Sequence, residues 1–149
     1  MKNVRETINT MLVKTFHEIL ELEEKAIITG EFSDISNNDM HIIEAIGLGE
    51  GARMSVVAKR LNITVGALTI SMNSLVNKGY VARKRSSTDR RVVNVFLLEK
   101  GIAAYKHHEE FHEKMINAIM ETLTPEELDV WAKSCERLTS FLKSYRELP

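Results

Sequence analysis

Between residues 53 and 91 the chain reads RMSVVAKRLNITVGALTISMNSLVNKGYVARKRSSTDRR. Met54 to Leu61 places Val57, Ala58 and Leu61 at helical spacing, with Lys59 and Arg60 on the opposite side. Asn62 and Ile63 make a short turn, and Thr64 is an N-cap whose hydroxyl satisfies an orphan N–H of the next helix. That second helix is expected over Val65 to Lys78, stopped by Gly79. Two short helices joined by a tight turn form a helix-turn-helix, whose second member enters the major groove of DNA. The period then changes from helical to alternating. Tyr80 to Arg85 reads as a strand, Ser86 to Asp89 as a polar turn, and Val92 to Leu98 as a second strand with Val93, Val95 and Leu97 on one face. A hairpin directly after a helix-turn-helix is a wing.

Charge agrees with this reading. The segment holds nine basic side chains and one acid, so it carries +8, while the other 110 residues carry −9 and the whole chain −1. A chain polarised in this way presents a cationic face to an anionic partner, of which duplex DNA is the first candidate. Arg83, Lys84 and Arg85 climb one strand of the hairpin, and Thr88-Asp89-Arg90-Arg91 forms its tip. The thin planar guanidinium suits a narrow minor groove with its negative potential.

The arrangement resembles the MarR family of bacterial transcription regulators. The residues that carry the likeness are Val57-Ala58-Lys59-Arg60-Leu61, Leu75-Val76-Asn77-Lys78-Gly79-Tyr80-Val81, Ser87-Thr88-Asp89-Arg90-Arg91 and Leu98-Glu99-Lys100-Gly101. The resemblance implies that Asp89 orients neighbouring cations, that Arg91 reaches the minor groove and that Arg90 meets a phosphate. On the recognition helix the exposed positions by phase are Val65, Gly66, Thr69, Ile70 and Asn73, with no charge before Lys78. Many family members place an arginine there, which would read guanine in a bidentate contact worth about 1–3 kcal/mol. Hydroxyl, amide and apolar groups instead suit adenine edges and thymine methyls, so an A/T-rich operator is expected. The expected DNA-contacting set is Thr64, Val65, Gly66, Thr69, Ile70, Asn73, Lys78, Arg83, Arg85, Asp89, Arg90 and Arg91. Lys59, Arg60 and Lys78 join the wing as sources of phosphate contacts.

The fold expected is mainly α with a small β-hairpin wing. At 149 residues and 44% hydrophobic content the chain reads as one domain. Within it, residues 37–99 form the winged helix-turn-helix, and residues 1–36 and 100–149 form dimerisation helices. A first helix is expected over Val4 to Ile28, with Val4, Ile8, Met11, Leu12, Ile19 and Leu22 along one stripe. A second is expected over Asn37 to Leu48, started by Ser36 with Asp39 three residues on. Lys100 to about Leu123 forms another, and Thr124-Pro125-Glu126-Glu127 starts the last, which runs to about Tyr145. Wide apolar stripes on the terminal helices point to a two-fold dimer, which spaces two recognition helices by roughly one DNA turn, about 34 Å. Cys135, amid Leu128, Trp131, Leu138 and Phe141, reads as a buried structural thiol. A charged N-terminus and the lack of any membrane-length apolar run lead us to expect a reducing cytoplasm and no membrane association.

No catalytic constellation is present in the sequence; Gly47, Gly49 and Gly51 lack the Lys-Ser/Thr of a phosphate loop. The chain reads as a binder, not an enzyme, with no bound cofactor. His108 and His112 share a helix face at the spacing of metal ligands. A zinc-sensing branch of the MarR family implies Glu24, His41, His108 and His112 as a ligand set, so zinc is an alternative effector. A second likeness is to the FabT-type branch, which represses type II fatty-acid synthesis genes. It rests on Asp39-Met40-His41-Ile42-Ile43-Glu44-Ala45-Ile46-Gly47, on Phe111-His112-Glu113-Lys114-Met115 and on Thr64-Val65-Gly66-Ala67-Leu68-Thr69. In that branch the counterparts of His41 and His112 hold no metal. The likeness implies long-chain acyl groups on acyl carrier protein as co-repressor. An acyl chain needs an apolar slot between helices, for which Phe16, Leu20, Ile43, Ile46, Phe111 and Met115 are the candidates. Arg53, Lys59 and Arg60 are the candidate cations for docking the acidic carrier. A sensor of another small apolar ligand, and an adaptor that uses its basic face on an acidic protein, stay open.

Overall fold

A computed structural model describes residues 3–28 and 30–146 of the chain. The chain falls into two compact units, Met1–Phe111 and His112–Pro149.

The first unit opens with α1 (Val4–Thr10), a π-helical turn (Met11–Thr15) and α2 (Phe16–Ile28). The Asn3 side chain caps α1 by accepting the Arg5 N–H at 3.1 Å. The three segments run end to end over the expected Val4–Ile28 span, with a π-helical turn inside it. The Phe16 N–H reaches back five residues to the Met11 carbonyl, a one-residue insertion too small for apolar periodicity to reveal. After a 3₁₀ turn (Gly30–Phe32) comes α3 (Asn37–Ile46). It starts on the expected capping box: Asp39 N–H to Ser36 Oγ at 3.1 Å and Ser36 N–H to Asp39 Oδ2 at 3.0 Å. Its end at Ile46 precedes the expected Leu48, because Gly47 leaves helical space with φ of +74°.

The helix-turn-helix comprises α4 (Met54–Leu61) and α5 (Val65–Asn77). Asn62 takes the left-handed conformation between them, and the Thr64 hydroxyl accepts the Ala67 N–H at 3.1 Å. The wing is β2 (Val81–Arg85) paired antiparallel with β3 (Val93–Leu97), in a register that sets Arg83 opposite Val95. A third strand, β1 (Ala52–Arg53), adds to the other edge of β3, giving the order β1-β3-β2. Two residues carry no readable alternation, which is why the sequence did not reveal it. Gly51 makes the pairing possible, since a Cβ there would lie 1.9 Å from the Val95 carbonyl oxygen.

Ile43, Val57, Leu68, Met72, Leu75, Val81 and Val95 are among the side chains that close the core of this unit. The long helix α6 (Glu99–Thr122) leaves the wing with Gly101 against the backbone of Tyr80, where a Cβ would stand 2.2 Å from the carbonyl oxygen. In the second unit α7 (Pro125–Arg146) begins on the expected capping box, with Thr124 N–H to Glu127 Oε2 at 2.8 Å and Glu127 N–H to Thr124 Oγ1 at 3.3 Å. None of its described residues is buried, and Trp131, Phe141 and Tyr145 are exposed. Cys135 is exposed too, which corrects the expected buried thiol. Helical phase puts it near an apolar stripe, but in the single chain that stripe is open. Among the described residues no helix is long and apolar enough to cross a membrane.

Candidate nucleic-acid interface

Buried Leu68, Met72 and Leu75 anchor α5 to the core and leave its other face outward. Thr64, Val65, Gly66, Ile70 and Asn73 are exposed as phase predicts, Ile70 to 75%. Thr69 is half-buried, and its hydroxyl donates to the Val65 carbonyl at 2.8 Å, which leaves its oxygen lone pairs and methyl for an outside partner.

The wing tip is built by short side chains. Ser86 Oγ accepts the N–H groups of Thr88 at 3.3 Å and Asp89 at 3.4 Å, and the Ser86 N–H closes the hairpin on the Val92 carbonyl at 2.9 Å. The Asp89 carboxylate accepts the Arg91 backbone N–H at 3.0 Å. Asp89 thus shapes the turn from which the exposed Arg90 and Arg91 side chains project.

Between the wing and the front of α5 lies a cleft of about 550 Å³, lined by Arg53, Arg83, Arg85 and Arg91 together with Ser55, Val65 and Thr69. Four arginines around one concavity, with no acid among its lining residues, make a strong anion-binding surface. Tertiary structure brings Arg53 here. It belongs to β1 and precedes the first turn of α4, and the sequence reading placed it instead among the cations for docking a protein. Arg83 also reaches across from β2 to donate to Asn73 Oδ1 on the recognition helix.

Two other cations are committed elsewhere. Lys78, expected at a phosphate, donates to the Asp34 carbonyl at 2.5 Å and lies 4.0 Å from Asp39. Arg60 donates to the Ala45 carbonyl at 2.7 Å and so satisfies the end of α3. Lys59 stays exposed. The Lys78 contact belongs to a clamp behind the recognition helix. Asp34 accepts the Tyr80 hydroxyl at 2.5 Å and the Lys100 ammonium at 3.3 Å, and Lys100 stands 4.4 Å over the Tyr80 ring. The Tyr80 hydrogen bond and the Lys100 charge hold the Asp34 carboxyl below its usual range, and burial with the facing Asp34 carboxylate pushes the Tyr80 phenol well up.

The expected effector residues divide. Ile43 and Ile46 are shut inside the core, while Phe16 and Leu20 of α2 expose about half their surface. Phe111 ends the first unit half-buried, and Met115 is half-buried in the second. The histidines correct the proposed ligand set by one residue. Glu24 is exposed, whereas its neighbour Glu23 is buried, with Oε1 at 3.4 Å from His108 Nε2 and 3.7 Å from His41 Nε2. Glu44 approaches the same His108 nitrogen at 3.6 Å. His112 is half-buried on α6.

Comparison with known proteins places this geometry. Residues 33–92 match the model of the MarR family. The chain superposes on Streptococcus pneumoniae FabT, solved in complex with DNA, with a TM-score of 0.90 and 37% identity over 95% of this chain and 99% of that one. It is 32% identical over 89 residues to the Bacillus subtilis transcriptional repressor YetL, a match covering 57% of this chain and 53% of that protein. It is also 26% identical to the Bacillus subtilis transcriptional regulator PchR, over 91% of this chain and 79% of the relative. The chain spans about half the length of the first two curated relatives it matches. With the winged helix-turn-helix, the arginine cleft and a FabT-like likeness along nearly its whole length, the chain belongs to the MarR family.

Proposed function

We propose that the chain is a homodimeric, cytoplasmic transcriptional repressor that binds an A/T-rich pseudo-palindrome and is tightened on it by long-chain acyl-acyl carrier protein. The observation that carries the DNA reading is the cleft between wing and recognition helix, with four arginines at the mouth of a helix whose own outward face is uncharged. Such a surface takes its affinity from phosphates and its register from the helix. Dimerisation is supported by the apolar side chains left open on α1, the π-helical turn and α2 (Ile8, Leu12, Phe16 and Leu20) and on α7 (Trp131 and Phe141).

The acyl effector rests on the likeness to the FabT-type branch and on the open flank of α2 at Phe16 and Leu20. A ligand that binds one spacing of the recognition helices better by about 1–3 kcal/mol tightens DNA binding by up to that amount. The test is an anisotropy titration of labelled operator with free, short-chain and long-chain carrier protein. Long-chain carrier is expected to lower the Kd, and identical curves for all three would discard the lipid reading in favour of another apolar ligand or a metal. Zinc is kept as a second reading by the buried carboxylate of Glu23 facing His41 and His108, a donor set of the kind zinc takes. A zinc effect reversed by chelator and lost in His108→Ala would put that reading first.

A further inference from the structure

The recognition helix carries no charged side chain before Lys78, and Lys78 is turned away onto the Asp34 carbonyl. Its exposed amide, Asn73, is met by the guanidinium of Arg83 from the wing strand. A guanidinium has donors only, so the amide atom that faces it must be Oδ1. This leaves Asn73 its Nδ2 hydrogens for anything lying in the groove. Reading adenine in a bidentate contact needs both halves of the amide, with the oxygen on N6–H and the N–H on N7. Here Arg83 already engages one of the two lone pairs of that oxygen, so the donors of the pair outnumber its free acceptors.

The pair therefore presents mainly hydrogen-bond donors, and Arg83 lines the cleft together with Arg85 and Arg91, which deepen the positive potential. Guanine offers two major-groove acceptors, O6 and N7; adenine pairs one acceptor with a donor, cytosine shows a donor, and thymine a single acceptor beside a methyl. We propose that Asn73 and Arg83 together form a guanine-reading element, which lends the recognition helix the cation its own sequence lacks and sets one guanine-selective position in each half-site of an otherwise A/T-rich operator. The proposal rests on the DNA-binding reading above and refines it. It also replaces the simpler expectation that the Asn73 amide reads adenine.

The experiment is selection of bound duplexes from a random pool with the purified full chain, followed by anisotropy on single-base variants of the selected site. Wild type is expected to enrich guanine at one symmetric position and to lose about tenfold in affinity, or more, when that base pair is changed. Arg83→Ala, Asn73→Ala and the double variant should each lose the preference, with the double no worse than Arg83→Ala because the two side chains act as a unit. Arg83→Lys should keep the salt dependence yet lose the preference, binding the selected site no more tightly than its single-base variants, since an ammonium has no planar fork. A guanine preference that survives in Arg83→Ala, adenine at that position, or Arg83→Lys equal to wild type would each overturn the assignment. So would a loss in Arg83→Ala that is uniform across sequences with a salt slope about one lower, the mark of a phosphate contact. If wild type binds no duplex, the DNA reading itself fails; if it binds without a guanine preference, only this inference does.

Discussion

At the scale of single residues, two positions decide whether the module holds together and whether it grips. Gly101 lets α6 start against the Tyr80 carbonyl, and that carbonyl cannot step aside because it accepts the Leu98 N–H at 2.9 Å. Gly101→Ala is expected to cost about 1–3 kcal/mol through overpacking. Thermal melting checks this, and an unchanged midpoint would remove close approach as the reason for glycine. Arg91 projects from a turn that Asp89 fixes through the Arg91 backbone. Arg91→Ala should weaken operator binding by about 1–3 kcal/mol, with melting unchanged, since the exposed guanidinium contributes contact and not packing. Equal dissociation constants at moderate salt would show that the wing tip does not enter the minor groove.

At the scale of elements, the Asp34 clamp ties the loop before α3 to the end of α5, the entry to β2 and the start of α6. Its acid has a folded-state pKa below the ordinary 3.8, so its stabilisation is complete above about pH 4 and is lost as pH falls through the folded value. Its phenol is raised above 10.0, so that share of stability is complete below pH 10 and lost at higher pH. Asp34→Asn should therefore be less stable than wild type at neutral pH, with the gap closing as the solution is acidified below pH 4. Denaturant melts at a series of pH values measure the gap. A gap that stays constant into acid would mean that the carboxylate charge is not what the clamp uses. The start signals of α3, α5 and α7 were legible in sequence because caps are local: Ser36, Thr64 and Thr124 each bond a backbone N–H within three residues.

At the scale of the whole molecule, two compact units leave large apolar side chains open on α1, α2 and α7. Light scattering is expected to give twice the chain mass, and Phe16→Glu should shift the species toward monomer and lower operator affinity with it. A monomer in the wild type at micromolar concentration would contradict the paired recognition helices. If the dimer makes about eight phosphate contacts, affinity should fall with salt at a log–log slope near −7. A slope flatter than about −3 would return the basic face to a protein partner.

The order of residues by itself determined the helix-turn-helix, its caps and the hairpin, because helical and alternating periods, a threonine cap and Gly79 are properties of neighbours along the chain. It also showed that residues 53–91 carry the positive charge. Only the tertiary structure decided how that charge is shared out. Lys78 and Arg60, which phase alone sends to the phosphates, turn to carbonyls of Asp34 and Ala45, 44 and 15 residues away. Arg53 enters the cleft because a two-residue strand pairs with β3. Glu23 and not Glu24 faces the histidines, since a one-residue step on a helix turns a side chain by about 100°. A long cationic side chain ends wherever an acceptor lies within reach, and which acceptors come within reach is settled by contacts between residues far apart in the chain.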